Sequence, residues 1–159
     1  MSFEFTPENL AEFEELVTHY PEDYRRAVTL PALHLAQSQG GWCSPGVMEY
    51  IAEMVGTSPA QVRDVVTFYP MFFEEPVGKY IVRVCHTLPC DLCGCAKIKE
   101  HLCEKLGVGM EETTPDGKIT LLTTECLAAC DQAPVMMIDD DLHGLLTPDK
   151  VDELIDGLE

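Results

Sequence analysis

Positive charge is what this chain has least of. Its 159 residues carry ten Lys+Arg against 28 Asp+Glu, a formal net charge of -18. Phosphates demand positive charge, so nucleic acid and anionic membrane are disfavoured as partners. Long apolar runs are missing too, and none approaches the roughly 18–20 residues that a membrane-spanning helix needs. The N-terminal Met1-Ser-Phe-Glu-Phe lacks the basic-then-apolar order of a secretory signal and the arginines of a transit peptide. A cytoplasmic protein is expected. Among the eleven glycines there is no Gly-x-Gly-x-x-Gly and no Gly-x-x-x-x-Gly-Lys, and Gly107-x-Gly109 meets Glu112 where a third glycine would stand. The chain therefore has no standard nicotinamide or phosphate cradle. It has no internal repeat and no low-complexity segment, and its 46% hydrophobic content is that of a globular chain.

Cysteine is what the sequence has instead. Eight in 159 residues fall below the roughly 8–10% that marks a disulfide scaffold. In a cytoplasmic chain this density points to metal binding or redox chemistry. Seven of the eight lie between Cys85 and Cys130, and Cys43 alone stands apart.

The chain divides into a helical bundle over 1–75 and an α/β domain over 76–159, an α+β protein. Helix starts are written plainly in the first part. Thr6-Pro7-Glu8 is an N-cap, a proline in the first turn and an early acid. A second helical stretch over 22–39 should be kinked or split by Pro31. Ser44-Pro45 opens a third helix that Gly56 ends, and Ser58-x-x-Gln61 is a capping box for a fourth. The prolines and glycine of 69–79 mark the boundary. Phe68, Tyr69, Phe72 and Phe73 pack the bundle or form a docking patch. In the second part, 79–84 alternates as a strand, a helix carries Ile98, Leu102 and Leu106, and 118–124 is a strand with an extra pairing near 112–121. Residues 135–138 are a short buried strand, Asp139-Asp140-Asp141 a solvated turn, and Thr147-Pro148 starts the last helix.

Each cysteine pair sits where a strand runs into a loop. Cys85-x4-Cys90 follows one strand and Cys126-x3-Cys130 another. Adjacent strand ends lie about 5–10 Å apart, so four thiolates can converge. Several site chemistries compete. Two short knuckles suit a structural zinc ion. Four thiolates suit a [2Fe–2S] cluster, which is broader than one ion. Cys85-x4-Cys90-x2-Cys93 with a distant fourth cysteine has the plant-type ferredoxin spacing. His86 has no matching second Cys-His element for a Rieske centre. Cys90-x2-Cys93, between a strand and a helix, also suits a thiol–disulfide pair.

With 35 residues between Cys90 and Cys126, the pattern resembles the thioredoxin-like [2Fe–2S] subunit of NADH:quinone oxidoreductase, the E subunit of bacterial respiratory complex I. Gln39-Gly-Gly-Trp42, Val66-Thr-Phe-Tyr69, Pro76-Val-Gly-Lys79, Asp116-Gly117 and Ala133-Pro-Val-Met-Met-Ile-Asp139 carry the resemblance along nearly the whole chain. Ala128 departs from it, standing where a glycine is expected. The resemblance implies a thioredoxin-like second domain, with Ala133-Pro134 a candidate cis peptide. It implies one [2Fe–2S] cluster on Cys85, Cys90, Cys126 and Cys130, and leaves Cys93, Cys95 and Cys103 as non-ligands. It also implies a partner flavoprotein, the F subunit, which binds NADH and FMN and exchanges electrons with the cluster, and further iron–sulfur subunits. The implied location is cytoplasmic, peripheral to the inner membrane as part of a membrane-bound complex. NAD-linked hydrogenases and formate dehydrogenases hold related subunits, and a zinc-stabilised interaction module is the alternative without redox chemistry. No catalysis is expected from this chain alone. Asp91, Glu125 and Asp131 adjoin the ligand positions, which favours a low reduction potential. Cys43 and Cys103 are expected as wholly and partly buried residues, and His86 as a locally bonded loop histidine.

Overall fold

The structure is a computed structural model that describes residues 3–159, and these form two compact units dividing between Pro76 and Val77. The first is helical: α1 (Pro7–Thr18), a 3-10 segment (Glu22–Val28), α2 (Thr29–Gly40), α3 (Pro45–Val55) and α4 (Pro59–Phe68). Three of these helices begin as the sequence dictates. The hydroxyls of Thr6, Ser44 and Ser58 accept from the third N–H of their helices, and proline follows each cap. Gln61 returns the bond to Ser58, completing the capping box. Gly56 ends α3 at φ 75, a left-handed conformation that favours glycine. Pro31 does not break the second stretch. It sits in the first turn of α2, where no N–H has an intrahelical partner to lose. The irregular residue is Tyr24, at φ -110 and ψ 20.

The faces of these helices close on Phe13, Leu33, Ile51, Val62 and Val66, all buried, with Cys43 and Phe72 in the same core. Phe68, at 76% exposure, lies outside it.

The second unit is a five-stranded mixed sheet with helices: β1 (Tyr80–Cys85), α5 (Leu88–Leu92), α6 (Cys95–Leu106), β2 (Glu112–Thr113), β3 (Ile119–Thr124), a 3-10 turn (Cys130–Gln132), β4 (Met136–Ile138), β5 (Asp141–His143) and α7 (Pro148–Asp156). The strand order is β2-β3-β1-β4-β5. β1 is central, parallel to β3 and antiparallel to β4. A parallel pair needs a crossover, which α5 and α6 supply. Val82, Val84, Leu121 and Met136 from the sheet meet Ile98 and Leu102 of α6 and Val151 and Ile155 of α7. The short strand β5 was not expected. Of the acidic run, Asp139 is a structural turn residue, since its carboxylate accepts from the Ile81 N–H at 2.8 Å. Asp141 already belongs to β5.

The register fixes the functional end of the sheet. Cys85 lies opposite Thr124 across the parallel pair, so β1 and β3 release their loops side by side.

Candidate metal centre

Cys85 is the last residue of β1 and is buried. The chain then turns through His86 into α5, whose cap residue is Thr87. Thr87 makes no side-chain cap bond to the helix. Its hydroxyl lies 3.3 Å from the Cys85 Sγ instead. Cys90, buried, lies on the inward side of α5 beside Cys85. The second loop comes to meet them. The Glu125 carbonyl is 3.6 Å from the Cys85 Sγ, and the Leu127 N–H donates to the same sulfur. Cys126 is thus flanked on both sides by residues that touch Cys85. Ala129 and Val135 complete a small cluster with Cys85, Cys90 and Cys95, against which Leu127 and Ala133 pack. Cys126 and Cys130 themselves are exposed.

The protonation of the first pair follows from its surroundings. Burial pushes the Cys85 thiol up, but hydrogen bonds from the Thr87 hydroxyl, the Thr87 N–H and the Leu127 N–H outweigh it and hold the group below its ordinary value. Burial raises Cys90 to about 11, with the Val135 N–H opposing and neighbouring Cys85 adding to the rise. Binding a metal through these sulfurs would release the protons their thiols carry.

Among the described residues, no three His, Cys, Asp or Glu side chains are gathered into a preformed metal site. One buried pair lies on the first loop, and the second loop, with its own two, packs against it. Four cysteines on two abutting loops are a donor set for a thiolate-ligated centre, with backbone N–H groups on the sulfurs.

The other cysteines separate by position. Cys93 is exposed. Gly94, at φ 92, separates α5 from α6, and Cys95, the first residue of α6, is wholly buried beside the first pair. Sequence reasoning grouped Cys93 and Cys95 together, because only the left-handed turn tells them apart. It also missed Thr87, for which Thr-Leu-Pro as a helix start was the available signal. Cys103 is half-buried and Cys43 buried, as expected. His86 Nε2 lies 3.5 Å from a Glu125 carboxylate oxygen, a local contact between the two loops. The Ala133–Pro134 peptide is cis, as the resemblance implies.

A thioredoxin-like sheet whose cysteine loops meet at one end defines the class of protein. The chain belongs to the thioredoxin-like [2Fe–2S] ferredoxin family, whose sequence model matches residues 13–159, and within it to the E subunits of NADH-quinone oxidoreductases. The corresponding E subunit from Rickettsia bellii is 43% identical over 99% of this chain and 95% of its own length. That of Pseudomonas aeruginosa is 41% identical over 87% of this chain and 83% of its own. The mitochondrial NADH dehydrogenase [ubiquinone] flavoprotein 2 of Dictyostelium discoideum is 41% identical over 99% of this chain, which spans 64% of that longer protein. In fold the chain is similar to part of an NAD+-reducing [NiFe]-hydrogenase in its air-oxidized state. The TM-score is 0.75 at 24% identity, over 87% of this chain and 24% of that one. The cofactor is a [2Fe–2S] cluster.

Ala128 explains why glycine was expected at its position. It adopts φ 56, and its N–H donates to the Cys126 Sγ at 3.4 Å. A left-handed alanine costs roughly 1–2 kcal/mol, of which the greater chain entropy of glycine returns about half. Ala128→Gly is therefore expected to stabilise the protein by up to about 1 kcal/mol. Urea unfolding would register this as a higher midpoint, with visible absorption unchanged.

Proposed function

We propose that Cys85, Cys90, Cys126 and Cys130 hold the [2Fe–2S] cluster, and that the chain exchanges electrons with the FMN of a partner flavoprotein, the F subunit, which oxidises NADH. When bound, the cluster supplies a one-electron carrier, which a hydride donor's two electrons require once they are split. The observation that carries this reading is the packing of the Cys126 loop onto the buried Cys85–Cys90 pair through Glu125 and Leu127. The chain's own groups have defined tasks there. Thr87 and Leu127 donate to the Cys85 sulfur and so favour its thiolate over its thiol, while the Ala128 N–H donates to the Cys126 Sγ. Burial of Cys85 and Cys90 keeps water from one side, and exposure of Cys126 and Cys130 leaves the other side open to a partner.

The same reading makes residues 1–75 a helical domain and 76–159 the cluster domain, a division that the two compact units support. It makes the chain one of several iron–sulfur subunits, cytoplasmic and held at the inner membrane through its complex. Among the described residues, no helix is long and apolar enough to cross a membrane. The test is anaerobic mixing of the cluster-loaded chain with its flavoprotein, followed by NADH. Bleaching of the visible absorption with flavoprotein present, and none without it, is expected. A chain that dithionite reduces but NADH with flavoprotein does not would overturn the reading.

A further inference from the structure

Among the described residues of the second unit, four large hydrophobic side chains are exposed, all of them leucines: Leu88 at 69%, Leu92 at 77%, Leu145 at 64% and Leu142 at 42%. The three most exposed lie toward the cysteine end of the sheet. Leu88 and Leu92 are four residues apart on α5 and share one face. Cys90, midway between them, turns to the opposite face and is buried. The leucine face is thus separated from the Cys90 sulfur by about 10 Å, one helix diameter. Leu145 reaches the same end by another route. Its N–H donates to the Gln132 carbonyl at 2.6 Å, two residues beyond Cys130. Its neighbour strand places His143 opposite Met136, which pairs with Val84 beside Cys85. Leu145 also holds a left-handed backbone at φ 51, a conformation uncommon for a residue of this kind.

Around Leu88, Leu92 and the exposed cysteines the surface is acidic, while beside Leu145 the Lys150 Nζ is held on the Gly144 carbonyl. Asp91 lies between Leu88 and Leu92, while Asp131 follows Cys130 and Glu125 precedes Cys126, and all three are exposed. Lys97, in the first turn of α6, is the exposed cation nearest in sequence. An apolar centre with a carboxylate rim is electrostatically matched by an apolar patch edged with Lys and Arg. A second copy of this chain would bring the same carboxylates face to face, and at a net charge of -18 that contact is repulsive. An anionic phospholipid surface would repel the same carboxylates.

We infer that Leu88, Leu92 and Leu145 form the apolar centre of the surface on which the electron-exchange partner docks, with Asp91, Glu125 and Asp131 meeting basic residues at the partner's rim. This rests on the flavoprotein reading above and adds the chemistry of the contact. The test uses the cluster-loaded full chain and the purified flavoprotein at low and high salt. L88Q/L92Q is expected to bind the flavoprotein at least tenfold more weakly than the unmodified chain, with absorption, EPR signal and urea midpoint unchanged. Binding by the unmodified chain is expected to weaken as salt rises. Unchanged affinity in L88Q/L92Q overturns the inference and leaves the flavoprotein reading intact. Where L88Q/L92Q lowers the cluster's absorption, L145Q, on a segment without cysteines, decides by the same criterion. An unmodified chain that does not bind the flavoprotein overturns both. Self-association in sedimentation, or flotation with phosphatidylcholine vesicles, that L88Q/L92Q abolishes would assign the face to a second copy or to lipid and overturn the inference.

Discussion

Serine in place of Cys126 is expected to strip the protein of its [2Fe–2S] cluster and leave the fold standing. Cys126 is exposed and belongs to no hydrophobic core, so the substitution opens no cavity. What it removes is a soft thiolate, and a serine oxygen is a harder and poorer ligand for cluster iron. Loss of an outer-shell partner alone typically lowers metal affinity about 10–100-fold, and loss of a ligand exceeds this. Iron, acid-labile sulfide and visible absorption are therefore expected to fall together, with far-UV circular dichroism unchanged. Cys93→Ser is the matched control. Cys93 is likewise exposed and lies one loop away, and its variant is expected to keep a full complement of iron. The opposite result, cluster lost with Cys93 and kept with Cys126, would move the site to the plant-type spacing. Cys85→Ser and Cys90→Ser are less clean tests, because both side chains are buried and a hydroxyl there needs a hydrogen-bond partner.

Leu102→Ala is the substitution expected to cost the most stability. Leu102 is wholly buried on α6, in a core shared with Val82, Val84, Leu121 and Met136. Truncating such a leucine removes its transfer free energy and leaves a cavity, together about 2–5 kcal/mol. Against a total of about 5–15 kcal/mol, that is a large fraction. For a unit of this size each kcal/mol lowers the melting temperature by about 4–8 °C. The loss reaches the site, because β1 carries both this core and Cys85. Thermal bleaching of the cluster is therefore expected at a lower temperature, in step with the loss of secondary structure. A change below about 1 kcal/mol would mean that the core collapses around the gap.

Much of this was legible from local chemistry. Thr6-Pro7, Ser44-Pro45 and Ser58-x-x-Gln61 mark helix starts through bonds made within a few residues, so the letters suffice. The period of 79–84 likewise announces a strand. The order of the strands is different in kind. Placing β1 between β3 and β4 depends on pairings such as Cys85 with Thr124 and Val84 with Met136, which join distant residues and leave no local trace. Pro31 shows the limit of a single-residue rule. Proline breaks a helix interior yet suits a first turn, and only the observed start at Thr29 says which applies. β5 escaped because three residues, Asp-Leu-His, are too short for a periodicity. At the site, the two cysteine pairs were visible as spacings. The role of Thr87 was not, since its hydroxyl serves a sulfur rather than the helix it caps.

The central claim is that this fold holds two irons on four cysteines for one-electron exchange. The most direct test is an absorption and EPR spectrum of anaerobically purified protein before and after dithionite, with iron, sulfide and zinc counted on the same sample. The account predicts about two irons and two sulfides per chain, a red-brown colour that bleaches on reduction, and a spin-one-half signal. A colourless protein with stoichiometric zinc, silent in EPR after dithionite and unchanged by reconstitution with iron and sulfide, would contradict it.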